Sequence, residues 1–344
     1  MVGAFRPTFF TAPGVVMIGR LVSIVAVLLT TALATTAAAA PPGVPGAPTE
    51  PPCPVRSGPL RLADLPNGTN VAGCALVGRQ VTVGPLHVAV PRAGEAVTAN
   101  QLRVDGSTEV RLVVAPNGRL TVDAVDPVHT GKLPVTHGSG RHGPDKGCVD
   151  KGYRLLGKKQ KSPLYWYFNR GSIPKGYHGP RVVAAAVQAA ATVAHGVAPC
   201  PGYRTDRVSL PVVYRGSTTS ALDVRYDTCN ARVDHRNTVG FVRQRPGVVA
   251  GTCTLTAWND PHKIVDADIA INSRYWFTAA VGPNCRDRYD LRSVLTHEFG
   301  HAVGLADVDP TYHYWMTMGG SIGHCTTFKR TLGAGDVLGL RRLY

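Results

Sequence analysis

Five residues near the end of the chain have the types and the spacing that a metal-dependent hydrolase needs. His297, Glu298, His301, Gly304 and Asp307 form the pattern HExxHxxGxxD. Two histidines four residues apart on a helix point to the same side and can bind one metal ion together. The glycine ends the helix, so the aspartate can return as a third ligand. The pattern predicts a zinc site with a general base, Glu298, beside it.

The chemistry expected of such a site is hydrolysis. Catalytic zinc takes three protein ligands and keeps one position open for water. The metal lowers the pKa of that water, and Glu298 can accept the proton and pass it to the leaving group. Hydrolysis of peptide bonds is the favoured reaction, and a non-peptide bond is the alternative. A surface helix with two histidines would explain HExxH alone, but not the glycine and aspartate after it.

The elements that must position these residues follow from apolar periodicity. Residues 290–303 are predicted to form the helix that carries the histidines. A helix is predicted over 180–195, and a short last helix near Asp336, an expected N-cap. Strands are predicted at 164–168, 210–214, 238–242, 252–258 and 267–272. One helix, a group of strands and two helices predict an α+β domain over residues 162–344.

Two further segments precede this domain. Residues 55–135 are predicted to form a small β-rich domain, either a removed propeptide or a retained accessory domain, with strands at 80–83, 86–90, 109–114 and 119–122. Residues 136–161 are rich in Gly, His, Lys and Arg and are predicted to be a basic linker. Within it, KKQK at 158–161 is interpreted as an exposed basic cluster, which is either a solvated loop or a processing site.

The first 40 residues have the three parts of an export signal. Arg20 precedes an apolar run, and small residues lead to Ala40. We expect cleavage and a secreted protein without membrane contact, and an uncleaved anchor is the alternative. Translation starts at Met1 or at Met17. A proline-rich leader follows at 41–54, where extended chain is expected.

The cysteines support an exported protein. All eight lie after the signal, and an even number in an exported chain predicts up to four disulfides. Cys53–Cys74 and Cys285–Cys325 are the predicted pairs. The remaining four pair among themselves, in an order that the sequence leaves open: Cys148, Cys200, Cys229 and Cys253.

Composition limits the classes of function. Charged residues make up 17% and hydrophobic residues 44%, which predicts a folded chain. The net charge of +15 favours an anionic cell-surface polymer as a partner, or else serves general solubility. No nucleic-acid motif is present. A monomer that acts on a protein or peptide substrate is expected.

Taken together, the motifs resemble the metzincin clan of zinc peptidases. HEFGHAVGL at 297–305 is similar to matrixin-like members, and the ending at 332–344 is similar to the closing helix of exported bacterial matrixin-like proteases. The resemblance covers about residues 162–344. It implies a five-stranded sheet with helices behind it, an active-site helix, a cleft across the front and a methionine turn beneath the zinc. Met318 is the expected methionine of that turn, with Met316 as second choice.

The chain departs from the matrixin pattern at the third ligand. That ligand is usually His, whereas this chain has Asp307, as in the snapalysin-like bacterial enzymes. Carboxylate is an acceptable zinc ligand. His313 is a rival ligand, and Asp309 is a similar outsider.

Two other matrixin features are missing. The structural-zinc histidines are absent near Asp266 and Asp268, so one catalytic zinc is predicted and calcium is not. The cysteine-switch sequence is absent as well. The unusual Asp307 and the β-rich region at 55–135 favour the alternative to a secreted zinc endopeptidase, a non-catalytic surface or cell-wall binding protein on a metalloprotease-like scaffold.

Overall fold

The fold is described from a computed structural model, which covers Cys53 and residues 57–125, 143–203 and 210–344. The predicted signal (1–40), most of the leader (41–54) and part of the linker (136–161) lie outside these residues. The described chain is mixed α and β, with 34% of residues in strands and 21% in helices. The α+β class is confirmed at this level.

Residues 57–125 are built from strands. They are β1 (Leu60–Arg61), β2 (Gln80–Val83), β3 (Leu86–Ala89), β4 (Ala96–Arg103), β5 (Ser107–Val114) and β6 (Leu120–Val125), with a 3-10 turn at Leu62–Asp64. Four of these strands (β2, β3, β5 and β6) lie where the sequence predicts strands. The pattern does not predict β4, because Thr98 and Asn100 place polar side chains on a face that the fold buries.

Residues 143–344 mix short and long elements. They are α1 (Gly143–Val149), β7 (Arg154–Leu155), β8 (Lys159–Gln160), β9 (Leu164–Phe168), α2 (Gly179–Ala194), β10 (Val212–Ser217), β11 (Val224–Arg225), β12 (Thr228–Cys229), β13 (Asn237–Val242), β14 (Val248–Ala257), β15 (Asp260–Asn272), β16 (Phe277–Thr278), β17 (Tyr289–Asp290), α3 (Leu291–Val303), β18 (Leu305–Ala306), α4 (Pro310–His313) and α5 (Ala334–Leu343), with 3-10 turns at Arg170–Ser172 and Phe328–Arg330.

One large sheet connects the two parts of the chain. Its strand order is β10-β9-β13-β15-β14-β4-β5-β6, and β8 also pairs with β15. Strands β10, β9, β13 and β15 are parallel, whereas β14 runs antiparallel to β15 and β4 runs antiparallel to β14. The sheet has nine strands rather than five, because β4, β5, β6 and β8 extend it. Strands from both sides of the predicted linker thus share this sheet.

Two apolar cores lie on opposite faces of the large sheet. On one face, α2 and α3 pack against inward side chains such as Trp166, Phe241 and Ile269. On the other face, a second sheet of order β1-β2-β3-β12-β11 packs through residues such as Val88 and Leu112. Alternation along each strand sends neighbouring side chains to opposite cores.

The segment predicted to be an exposed basic cluster is instead integrated into the fold. Lys158 is fully buried and donates from Nζ to the carbonyl oxygen of Thr254 at 3.3 Å. Gln160 is also buried and donates to the carbonyl oxygen of Ala302. The prediction of exposure is therefore wrong for Lys158 and Gln160, whereas Lys161 is exposed. Gln160 is buried because strand β8 pairs with β15.

All eight cysteines form disulfides. The predicted pairs Cys53–Cys74 and Cys285–Cys325 are both present, and the other four cysteines form Cys148–Cys200 and Cys229–Cys253. Four disulfides fit an oxidising compartment. A search of the described residues for a helix of the length and apolarity that a bilayer crossing requires finds none.

Candidate metal centre

Helix α3 presents the two histidines of the motif, and its ends are fixed by specific residues. Asp290 caps the N-terminus by accepting from the backbone N–H of Ser293 at 2.8 Å. Arg330 holds the same carboxylate in place. Gly304 ends the helix with φ 109°, and a Cβ at this position would lie 2.2 Å from the carbonyl oxygen of Lys158. Only glycine satisfies both the left-handed backbone and the close approach.

The turn at Gly304 brings the third predicted ligand back to the helix. The chain passes through β18, which pairs with β7, and then reaches Asp307. Oδ1 of Asp307 lies 3.1 Å from Nε2 of His297 and 3.4 Å from Nε2 of His301, and the two Nε2 atoms are 3.1 Å apart. The structure therefore brings together the three side chains that the sequence predicts as ligands.

Backbone carbonyls orient both imidazole rings. Nδ1 of His297 bonds to the carbonyl oxygen of Thr317 at 2.8 Å, and Nδ1 of His301 to that of Leu305 at 3.0 Å. Because a carbonyl oxygen only accepts, each Nδ1 carries a proton. In its neutral form, each ring then has a lone pair at Nε2. The Nε2 atoms of both rings face the Asp307 carboxylate, as in metal sites whose histidines are oriented by a second hydrogen bond.

Three acceptor atoms converge here, and this fits a cation. Neither oxygen of Asp307 accepts a hydrogen bond, although both are buried. Two nitrogens and one oxygen at 2.0–2.1 Å from a tetrahedral zinc ion are separated by roughly 3.3 Å, close to the observed distances. Across the described residues, this is the one group of three or more such side chains whose ligand atoms all lie within 4.8 Å of one another. The donor set therefore suits zinc.

The electrostatics of the site also favour positive charge. Burial lowers the pKa of His301, but the Asp307 carboxylate outweighs it and raises that pKa to about 9. Burial raises the pKa of Asp307, yet the two histidines hold it well below its usual range. An unpaired carboxylate at this depth is costly, so a proton or a metal ion has to compensate it.

Glu298 lies beside the three ligands, where a general base is needed. It is fully buried, and its Oε2 accepts from the Thr252 hydroxyl at 2.6 Å, while Oε1 has no hydrogen-bond partner. Burial raises the pKa of Glu298, and the neighbouring His297 and His301 oppose that rise. A raised pKa suits a carboxylate that accepts and returns a proton near neutral pH.

The two candidate methionines have different surroundings. Sδ of Met318 packs so closely on α3 that a Cβ on Gly300 would lie 2.3 Å from it. Met316 packs instead against Gly333, at the N-terminal end of α5. Met318 therefore lies directly beneath the helical turn between the two histidines, which suits the predicted methionine turn.

Asp336 fixes that turn, and its predicted role as an N-cap is wrong. Helix α5 begins one turn earlier, with Gly333 at the N-cap. The Asp336 carboxylate accepts from the backbone N–H groups of Thr317, Met318 and Gly333 at 2.8–3.2 Å. It is buried, and it ties the methionine segment to α5.

The two rival ligands lie outside the centre. His313 pairs through Nδ1 with the Asp150 carboxylate at 2.9 Å. Asp309 caps the short helix α4 by accepting from the backbone N–H of Thr311. Neither belongs to the group of converging ligand atoms.

Sequence reasoning missed the residues that contact the centre from elsewhere in the chain. Thr252 lies on β14, and Arg154 donates to the backbone carbonyl oxygen of Asp307 at 2.8 Å. Arg154 also contacts the buried Glu109 of β5 at 3.4 Å. No local spacing marks these residues, because they come from three distant segments.

Comparisons with known proteins add no family to this geometry. No protein-family model matches the chain, and no curated protein matches it. A functional assignment therefore depends on the chemistry of the centre.

Proposed function

We propose that the protein is a zinc-dependent endopeptidase, with His297, His301 and Asp307 as metal ligands and Glu298 as general base. The observation that carries the proposal is the convergence of three buried acceptor atoms beside a second buried carboxylate, that of Glu298, whose pKa is raised. Metal ligands alone would serve a structural site. A base next to three ligands is the arrangement of catalytic zinc.

Each residue has a distinct part in this proposal. A zinc ion held by the three ligands would supply Lewis acidity and lower the pKa of a water molecule. Glu298 accepts a proton from the attacking water and returns it to the leaving amine. Thr252 keeps the Glu298 carboxylate oriented through its hydroxyl. The carbonyls of Thr317 and Leu305 hold the rings in the ligating tautomer.

The arrangement around the site supports a metzincin-like enzyme. Strands β10, β9, β13, β15 and β14, with α2 and α3 packed on one face, agree with the five-stranded sheet and helices that the resemblance implies. Met318 beneath α3 agrees with the methionine turn. The proposal includes secretion, a protein or peptide substrate and proximity to an anionic cell-surface polymer, which the charge of +15 supports.

One observation favours the alternative of a non-catalytic binding protein. His297, Glu298 and His301 are 0% exposed and Asp307 is 3% exposed, so no substrate reaches them in this conformation. The two functions differ in what Glu298 does. A binding protein does not need a base, whereas hydrolysis requires it.

Zinc content and peptide cleavage test the proposal together. We expect one zinc per chain in the wild type and in Glu298→Gln, and cleavage of an internally quenched peptide library by the wild type alone. Cleavage is measured on the full chain and after limited trypsin digestion. Glu95→Gln, a half-buried glutamate far from the centre, is the matched control and should cleave like the wild type. Zinc at one per chain without cleavage in either form would support the binding protein instead.

A further inference from the structure

The centre is covered by residues 57–125. Side chains of directly opposed residues in an antiparallel pair lie on the same face. Glu109, Asn100 and Thr252 are opposed in turn across β5, β4 and β14. Because Thr252 contacts Glu298, Asn100 and Glu109 lie on the face that carries the metal ligands.

Specific contacts close this cover. Glu109 accepts from Asn100 and contacts Arg154, which in turn donates to the backbone of Asp307. At the β4–β5 hairpin, Ser107 packs against the methionine segment so tightly that a Cβ on Gly320 would lie 2.3 Å from Oγ of Ser107.

Strand β4 occupies an edge that a substrate needs. It pairs antiparallel along β14 from Val97 opposite Leu255 to Leu102 opposite Ala250. Without β4, β14 would be the edge of the sheet and would lie next to the general base. A free strand edge binds an extended peptide through backbone hydrogen bonds.

We propose that residues 57–125 keep the enzyme latent, because β4 takes the place of an extended peptide on the β14 edge. Activity then requires this region to leave. This inference rests on the proposed peptidase function, but the cover itself can be tested through access to the metal.

The disulfides permit such a departure. Cys53–Cys74 lies within the N-terminal part, and the other three pairs lie between Cys148 and Cys325. A single backbone cut after residue 125 and before Cys148 therefore removes every covalent bond between the cover and the centre. The apolar core shared with Leu255 and Val224 still holds the region after a cut, so its separation or digestion must follow.

The buried face of β4 is less well satisfied than a permanent interface. On the face of β4 towards the centre, Oγ1 of Thr98 and Oδ1 of Asn100 are buried without a hydrogen-bond partner. Each such group lowers the stability of the docked state. Residues 57–125 are therefore held less tightly by the polar face of β4 than by the apolar core on its opposite face.

A wedge in the cover tests the inference on the full, zinc-loaded chain. Ser107→Trp cannot fit against Gly320 and should lift the hairpin. Asp105→Trp places the same side chain at the exposed tip of the same hairpin and is the matched control. We expect Ser107→Trp to increase both zinc transfer to a chromophoric chelator and cleavage of a quenched peptide at least tenfold. Asp105→Trp should stay within twofold of the wild type.

The outcomes separate the two proposals. Faster zinc transfer in Ser107→Trp without cleavage would support the cover and overturn the peptidase. Amide exchange on β4 that accelerates in Ser107→Trp, with zinc transfer and cleavage unchanged, would overturn the inference. Should this variant not fold, wild-type protein is digested with trypsin and followed by mass spectrometry. Zinc transfer to the chelator that does not accelerate as residues 57–125 disappear from an otherwise intact, zinc-loaded chain would also overturn it.

Discussion

Two groups of buried carboxylates in this protein have opposite surroundings. At the metal centre, Asp307 receives no backbone N–H group, and its Oδ1 faces Nε2 of His297 at 3.1 Å and Nε2 of His301 at 3.4 Å. On strand β15, Asp268 receives the backbone N–H of Thr238 on one oxygen and that of Asp223 on the other. Both carboxylates are at least 97% buried.

The difference indicates which kind of buried acid suits a metal ion. Backbone N–H groups donate to both oxygens of Asp268 and to Oδ2 of Asp266, and burial together with mutual repulsion raises the pKa of Asp266 to about 8. Protons and N–H groups therefore neutralise that cluster. Asp307 receives no backbone N–H group, and the positive charge of the neighbouring histidines lowers its pKa. A buried carboxylate without donors, beside oriented imidazoles, indicates a metal site more strongly than the number of acids does.

Removing a metal ligand should have the largest effect of these changes, because it weakens zinc binding directly. His301→Ala should weaken zinc binding by about 3 kcal/mol, more than a hundredfold, if one ligand supplies about a quarter of the roughly 10–16 kcal/mol typical of zinc sites. The zinc-dependent rise in melting temperature should disappear with it. Competition with a fluorescent chelator measures the affinity. His313→Ala, which removes a histidine outside the centre, should bind zinc normally, and loss of zinc from this control alone would contradict the ligand assignment.

Removing a carboxylate that only accepts N–H groups should affect folding instead. Asp336→Ala leaves three buried backbone donors unpaired and should lower the free energy of unfolding by about 3 kcal/mol. Urea unfolding measures the loss. Asp309→Ala removes an exposed helix cap and should cost about 1 kcal/mol. Equal losses in the two variants would show that burial does not distinguish these carboxylates.

Removing one of the acidic side chains on β15 should make the folded protein more stable. The pKa of Asp266 in the folded protein is about 8, above the usual 3.8. Its carboxyl group therefore lowers the free energy of unfolding as the pH rises from about 4 to about 8, and has no such effect below about pH 4. Asp266→Asn should raise the free energy of unfolding by about 2 kcal/mol at pH 8 and by much less at pH 5. Asp105→Asn, at an exposed position, should change it by less than about 0.5 kcal/mol at either pH. A calcium-dependent loss of stability in Asp266→Asn would instead show that these acids bind a cation.

The smallest expected effect concerns the base. The Thr252 hydroxyl stabilises the ionised form of Glu298, so Thr252→Val should raise the pKa of that carboxyl. The acid limb of the pH–rate profile should move to higher pH by about half a unit to one unit. The profile is measured on activated protein. Thr254→Val, two residues along the same strand face, should leave the limb in place, and a downward shift in Thr252→Val would contradict the role of the hydroxyl.

The sequence predicts the centre well because its determinants are local. The spacing of His297, His301 and Asp307, together with the glycine at 304, defines one helix and one turn. Helices α2 and α3 and most of the longer strands follow from apolar periodicity in the same way. Two of the four disulfides were predicted, and Cys285–Cys325 was predicted because it ties the two flanks of the metal motif together. The pairing of the other four cysteines depends on contacts that spacing does not encode.

The cover could not be predicted, because its contacts are long-range and polar. Strand β4 lacks the apolar alternation of a half-buried strand, and its partner β14 lies far along the chain. Lys158 was expected at the surface on the basis of its residue type. Its burial depends on the turn at Gly304 and on the carbonyl of Thr254, which only the folded chain brings together.

During synthesis, strand β4 leaves the ribosome long before its partner β14. Ala96 and Thr256 hydrogen-bond across 160 residues. At about 5–20 residues per second, roughly 8 to 30 s pass before β14 emerges. An apolar strand with a free edge would aggregate during that time, whereas Thr98 and Asn100 make one face of this strand compatible with water. The polar face of β4 therefore protects the growing chain before it covers the metal centre.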